Sequence, residues 1–224
     1  MRNIWTIAKR EYKIYFIGPI AYALAAGLLF ILGLAFAFIL ASANQYAMFG
    51  GPAPDMTQLN SFFAFLLMMI TPALTMRLVA DETRSGTIEI MLTSPVTDFE
   101  LVTGKWLGGL LFVLTLIGAT LIYPIILNTL IDPGVDKLVT FTSYLGLILI
   151  AASFLALGTG ISALFSNQLA AFLVSFVVFL TLWWLIGLPA DLMTKGGEFL
   201  RYLVVTNHYD YSFNRGSINL NDII

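Results

Sequence analysis

The sequence has no cysteine in 224 residues, which excludes disulfides, thiolate metal sites and cysteine nucleophiles while leaving the redox compartment open. Charge is scarce as well: Asp, Glu, Lys and Arg make up 11% of the chain, where an ordinary soluble domain carries roughly a quarter. Histidine occurs once, at His208 in the polar run Thr206-Asn207-His208-Tyr209-Asp210. A lone imidazole in such a run reads as a loop residue rather than a metal ligand or base. No G-x-x-x-x-G-K-[ST] loop is present to cradle a phosphate, so ATP is not expected to bind or be hydrolysed here. A net charge of −2 argues against nucleic acid as a partner.

Apolar sequence is abundant. Hydrophobic residues make up 59% of the chain, mean hydropathy is +0.90, and the apolar residues are gathered into long runs, so lipid is the expected solvent. The runs predict an all-α membrane protein, a single transmembrane domain over 1–224 with five visible spans: Ile20–Ser42, Ser61–Val79, Trp106–Leu130, Phe141–Phe165 and Leu169–Leu188. Each is near the ~20 residues that cross ~30 Å of hydrocarbon. Ala41-Ser42-Ala43 has the look of a cleavage site, but the preceding apolar run is longer than the roughly 7–15 residues of a signal peptide, so the first span reads as uncleaved. Pro72 and Pro124 fall inside spans and predict kinks that neighbouring helices must accommodate. Gly104, Gly108, Gly109, Gly158 and Gly160 either let helices approach closely or reflect the ordinary tolerance of membrane helices for glycine.

Ahead of the first span, 2–16 fit an amphipathic helix, with Ile4, Trp5, Ala8, Tyr12, Tyr15 and Phe16 on one side and Thr6, Lys9, Arg10 and Lys13 on the other. Such a helix is expected to lie in the membrane surface, with Trp5 and Tyr12 below the headgroups and Lys9, Arg10 and Lys13 against lipid phosphates. The plainer alternative is a charged flank of the first span. With the N-terminus in the cytoplasm, seven Lys and Arg fall inside and four outside, so that orientation is favoured.

The segment between the second and third spans, 81–104, is the most organised. Gly86 permits a sharp turn, Thr87 can cap a short helix, Ile88, Met91 and Leu92 mark its apolar face, and Ser94-Pro95 ends it. Thr97 and Glu100 have capping-box spacing for a second helix running through Gly104-Lys105-Trp106 into the third span.

Asp81-Glu82, Gly86-Thr87-Ile88-Glu89, Leu92-Thr93-Ser94-Pro95-Val96 and Gly104-Lys105, at their spacing, resemble the cytoplasmic signature of type-two ABC exporter permeases. The likeness is strongest to small bacterial permeases of the gliding-motility and nitrous-oxide-reductase-maturation type. It extends more weakly along the chain, through the basic N-terminal helix, the turn at Ser166-Asn167-Gln168 and a segment with Phe213 and Arg215-Gly216. The resemblance implies a multi-pass subunit of a bacterial inner membrane, paired with an identical or different permease. It also implies two ABC ATPase partners that carry the ATP and Mg, with no cofactor on this chain. The cytoplasmic helix would then be a coupling helix, with Glu82 and Glu89 facing basic groups of the ATPase and Ile88, Met91 and Leu92 in its groove.

Members of that family have six spans, so the tail 189–224, expected outside the cell and to pack as short helices broken at Gly196-Gly197, would lead to a sixth span beyond the sequence shown. Two other functions compete. A non-transporting anchor or mechanotransmission subunit would use the same docking loop. An intramembrane hydrolase would need a nucleophile with a partner, and Ser153, Ser162 and Ser175 show no companion in sequence, each being expected to bond its own helix backbone. Intramembrane carboxylates and cations that would suggest ion coupling are essentially missing from the span centres.

Overall fold

The computed structural model describes residues 2–47, 54–80, 96–132, 134–193 and 197–219. Among these residues every regular element is helical. Helix α1 (Arg2–Ile17) ends at Gly18, and Pro19 occupies the first position of α2 (Pro19–Ala47), where its missing N–H costs nothing. Helix α3 is Thr57–Thr75, and the backbone turns on through Val79 to Ala80. Helices α4 (Asp98–Thr120) and α5 (Ile122–Leu130) follow, then α6 (Lys137–Ala163) and α7 (Gln168–Leu180). A π-helical turn, Thr181–Leu185, links α7 to α8 (Gly187–Leu192). Short helices α9 (Gly197–Tyr202) and α10 (Val205–Tyr211) and a 3-10 turn, Phe213–Arg215, complete the described chain.

Among the described residues five helical stretches are long and apolar enough to cross a membrane: Ala21–Ala43, Thr57–Thr75, Asp98–Leu130, Lys137–Ala163 and Gln168–Ala190. They alternate in direction, which leaves one end of the bundle beside α1 and a far end beside α10. Half of the most apolar window of α3 and of α6 is buried, against 17% in α2 and 22% in the α7 stretch, so α3 and α6 form the centre. Phe63, Leu67 and Met68 of α3 meet Leu147, Phe154 and Leu155 of α6 in the core, joined by Phe112, Val113 and Ile117 of α4. A Cβ built on Gly158 of α6 would collide with the side chain of Thr75, so the α3–α6 contact needs glycine there. Gly160 has open space around it and is only tolerated.

The kink expected at Pro124 takes the form of a break at Leu121 in the third span. Pro124 has no N–H to donate to the carbonyl of Thr120, four residues back. The Tyr144 hydroxyl of α6 donates to that oxygen instead, at 2.9 Å. Around Pro72, by contrast, α3 continues without a break. The π-helical turn has a similar logic, its Trp183 carbonyl receiving the Thr206 hydroxyl at 3.1 Å. Asp136 caps α6 by accepting from the amides of Leu138 and Val139, and Asn167 caps α7 through Leu169. The tail folds back onto the far end: Tyr209 and Phe213 are buried against Gly146, where a Cβ would lie 2.8 Å from either side chain.

Candidate functional site

Two ends of chain converge at the α1 end of the bundle, one leaving α3 at Ala80 and one entering α4 at Val96. The segment between them carries Glu82, Gly86, Thr87, Ile88, Glu89, Met91, Leu92 and Pro95, all of which lie outside the described residues. Its flanks are described and strongly held.

On the first flank, the backbone amides of Val79 and Ala80 both donate to the Ser162 hydroxyl of α6, each at 3.2 Å, and that hydroxyl donates to the Met76 carbonyl at 3.2 Å. One oxygen thus uses both acceptor positions and its proton on the end of α3. The expectation that Ser162 would bond its own helix is corrected, because the α3 chain end carries orphan amides within reach. Ser175 has no partner among the described residues. Ser153 shares a cavity of about 270 Å³ with His208 and Tyr209, and the His208 Nε2 faces the Tyr202 carbonyl.

On the second flank the capping box is formed: Thr97 Oγ1 accepts from the Glu100 amide at 3.3 Å, and Glu100 Oε2 accepts from the Thr97 amide at 3.2 Å. The same carboxylate oxygen accepts from Asn3 Nδ2 of α1, at 3.2 Å, tying the start of α4 to the start of α1. Acidic residues in this first turn, Asp98 and Glu100, suit the positive end of the helix dipole.

From that anchor α1 is laid along α4. A Cβ on Gly104 would lie 2.7 Å from the Cβ of Ile7, and one on Gly108 would lie 2.5 Å from the Cβ of Glu11 and 3.0 Å from the Ala8 carbonyl oxygen. Further along, the hydroxyls of Tyr12 and Thr115 are 3.3 Å apart, and Tyr15 stacks on Phe112 at 4.7 Å between ring centroids. Contacts therefore advance in step along both helices. Gly104 and Gly108 are close-approach glycines, whereas a Cβ on Gly109 would make contacts no closer than 3.4 Å.

This packing redraws the expected two-sided helix. Ala8, Glu11 and Tyr15 are buried, while Trp5 and Phe16, expected on the same side as Ala8, are exposed. Glu11, which lies outside both expected sides, makes a buried ion pair with Lys105 of α4 at 3.4 Å, the lysine side chain being 2% exposed. Lys9, Arg10 and Lys13 are exposed and Tyr12 is half-buried. The Tyr15 hydroxyl donates to the Leu74 carbonyl at 3.1 Å, so α1 also reaches the end of α3. Burial, then the nearby Glu11 carboxylate, push the Tyr15 phenol far above its usual range and keep it a donor. A small cavity of about 180 Å³ separates these groups from Arg10 and Arg77.

Sequence reasoning named the cap and the cations, missed Glu11, and named Ser162 without its contact to the end of α3. A glutamate one turn after Ala8 and one turn before Tyr15 was the available signal for the first; the contact of the second had none. Among the described residues no group of three or more His, Asp or Glu is placed to hold a metal ion. Residues 23–217 match the family described as ABC-2 family transporter protein. No curated protein matches the chain.

Proposed function

The chain belongs to the ABC-2 transporter family as its membrane-spanning permease subunit, and on that premise we propose that 81–95 is the element through which a separate ABC ATPase drives it. Membership itself implies a non-catalytic membrane subunit, without a cofactor of its own, served by an ATPase partner. In the proposed arrangement Glu82 and Glu89 meet basic groups of the ATPase and orient the contact, while Ile88, Met91 and Leu92 are buried in its groove and hold it. In that arrangement Gly86 and Thr87 would begin a short helix and Pro95 would end it. Burial of three such side chains contributes roughly 1.5–3 kcal/mol each before the cost of association.

The observation that carries this reading is the anchoring of both flanks. Val79 and Ala80 are held by Ser162 of α6, and Glu100 is held by Asn3 of α1. A push on 81–95 would therefore reach α3, α4, α6 and α1 together, without slack from unanchored linkers. In this arrangement the subunit is an exporter half, paired with a second permease and two ATPases, of the gliding-motility or nitrous-oxide-reductase-maturation kind. It sits in a bacterial inner membrane with the α1 end in the cytoplasm. The seven-to-four distribution of Lys and Arg supports that orientation.

Co-purification tests the reading. The ATPase is expected to accompany the wild-type chain and to be lost from a Glu82→Arg, Met91→Asp double variant that still folds. Retention of the ATPase by that variant would remove the coupling role.

A further inference from the structure

Between α1 and α4, on the side of α1 away from the Glu11–Lys105 pair, runs an open groove of about 550 Å³. Its upper wall is Lys9 and Lys13, four residues apart and so stacked on one face of α1. Both are exposed, and among the described residues neither lies within ion-pair distance of a carboxylate. The opposite wall is Leu111 and Leu114 of α4. Tyr12 and Thr115 form the floor, their hydroxyls 3.3 Å apart, and Trp5, 58% exposed, stands at one end.

We propose that this groove is a binding site for one anionic phospholipid, its phosphate held between Lys9 and Lys13 and its acyl chain laid on Leu111 and Leu114. The position along the membrane supports this. The stretch Asp98–Leu130 has 33 residues, which at 1.5 Å each is about 50 Å, some 20 Å more than the hydrocarbon requires. The surplus belongs at the α1 end, where the charged groups Asp98, Glu100, Lys105 and Glu11 lie. Lys9 and Lys13 then fall at headgroup depth and Leu111 and Leu114 just below it. Two ammonium groups above an apolar wall complement an amphiphile with a negative head. A soluble anion would leave the leucine wall unused, and a zwitterionic lipid would bring its own cation to the lysines. The site goes beyond the ATPase reading and does not depend on it, because none of its residues lies in 81–95.

Native mass spectrometry of the purified full-length chain, titrated in detergent with phosphatidylglycerol or phosphatidylcholine, tests the site. One phosphatidylglycerol is expected to bind preferentially, and millimolar inorganic phosphate is expected not to displace it. Lys9→Gln with Lys13→Gln should weaken that binding roughly tenfold or more, Lys9→Arg with Lys13→Arg should restore it, and Lys137→Gln at the far end should leave it unchanged. Equal binding of the two lipids, displacement by phosphate, or wild-type affinity in the Gln double variant would overturn the proposal. Each of these results is readable whether or not an ATPase co-purifies.

Discussion

At the α1 end α1 lies close against α4 across Gly104 and Gly108, the Thr75 side chain of α3 fits against Gly158 of α6, and a buried ion pair, Glu11–Lys105, locks α1 to α4. At the far end Tyr209 and Phe213 pack on Gly146 and Gly197 lies against the Ala190 backbone, but the polar joints are made by side chains. Ser61 donates to Asp210 at 2.6 Å, Asn214 donates to the Thr57 carbonyl and to Ser61, and Tyr209 donates to the Ser143 carbonyl. Across Gly104 and Gly108 little side chain separates α1 from α4, so a displacement of one helix is passed to the other. The polar joints at the far end can be exchanged for water one bond at a time. On the coupling proposed above, the close α1–α4 contact passes on a push at 81–95, while α10 and the 3-10 turn are held in part by bonds that water can replace.

Substitutions at the two ends sharpen this contrast, and the largest effect is expected at the ion pair. Lys105→Met leaves the Glu11 carboxylate buried without that cation and should cost about 3–5 kcal/mol, whereas adding Glu11→Leu should recover most of it. Unfolding midpoints in detergent for the single and double variants measure both. Gly108→Val comes next: its side chain would collide with Glu11 and with the Ala8 backbone, for a loss of about 1–3 kcal/mol and detachment of α1, read by limited proteolysis. At the far end, Ser61→Ala removes one charge-assisted bond to Asp210 and one partner of Asn214, and about 1.5 kcal/mol is expected. Tyr144→Phe returns the Thr120 carbonyl to its unpaired state at the Pro124 break, for about 1 kcal/mol, again by unfolding midpoint. Losses at the far end equal to those at the α1 end would erase the distinction.

The parts of this structure legible in the sequence are those set by local chemistry. The Thr97–Glu100 capping box forms because its partners are three residues apart, and the break at Leu121 follows from Pro124 removing one donor at a fixed offset. The short tail helices α9 and α10 carry or adjoin the apolar runs Phe199-Leu200 and Tyr202-Leu203-Val204-Val205 on which that expectation rested, although Gly197 begins α9 rather than breaking a helix. Glu11 and the contact of Ser162 escaped, since their partners lie 94 and 82–86 residues away and no period in the sequence links them. A glutamate among cations on a basic helix also looks solvated until a glycine face is brought against it. The glycines stood as two equal alternatives, and the structure divides them: Gly104, Gly108 and Gly158 at close approaches, Gly160 in open space.

The absence of cysteine makes the central proposal directly testable, because any introduced thiol is unique. Glu89→Cys carrying a thiol-linked photo-crosslinker, activated in native membranes, is predicted to capture a polypeptide with a phosphate-cradling ATPase motif, while Lys137→Cys at the far end captures none. Capture of that ATPase from position 137 and not from position 89, or labelling of position 89 from outside the cell, would contradict the account.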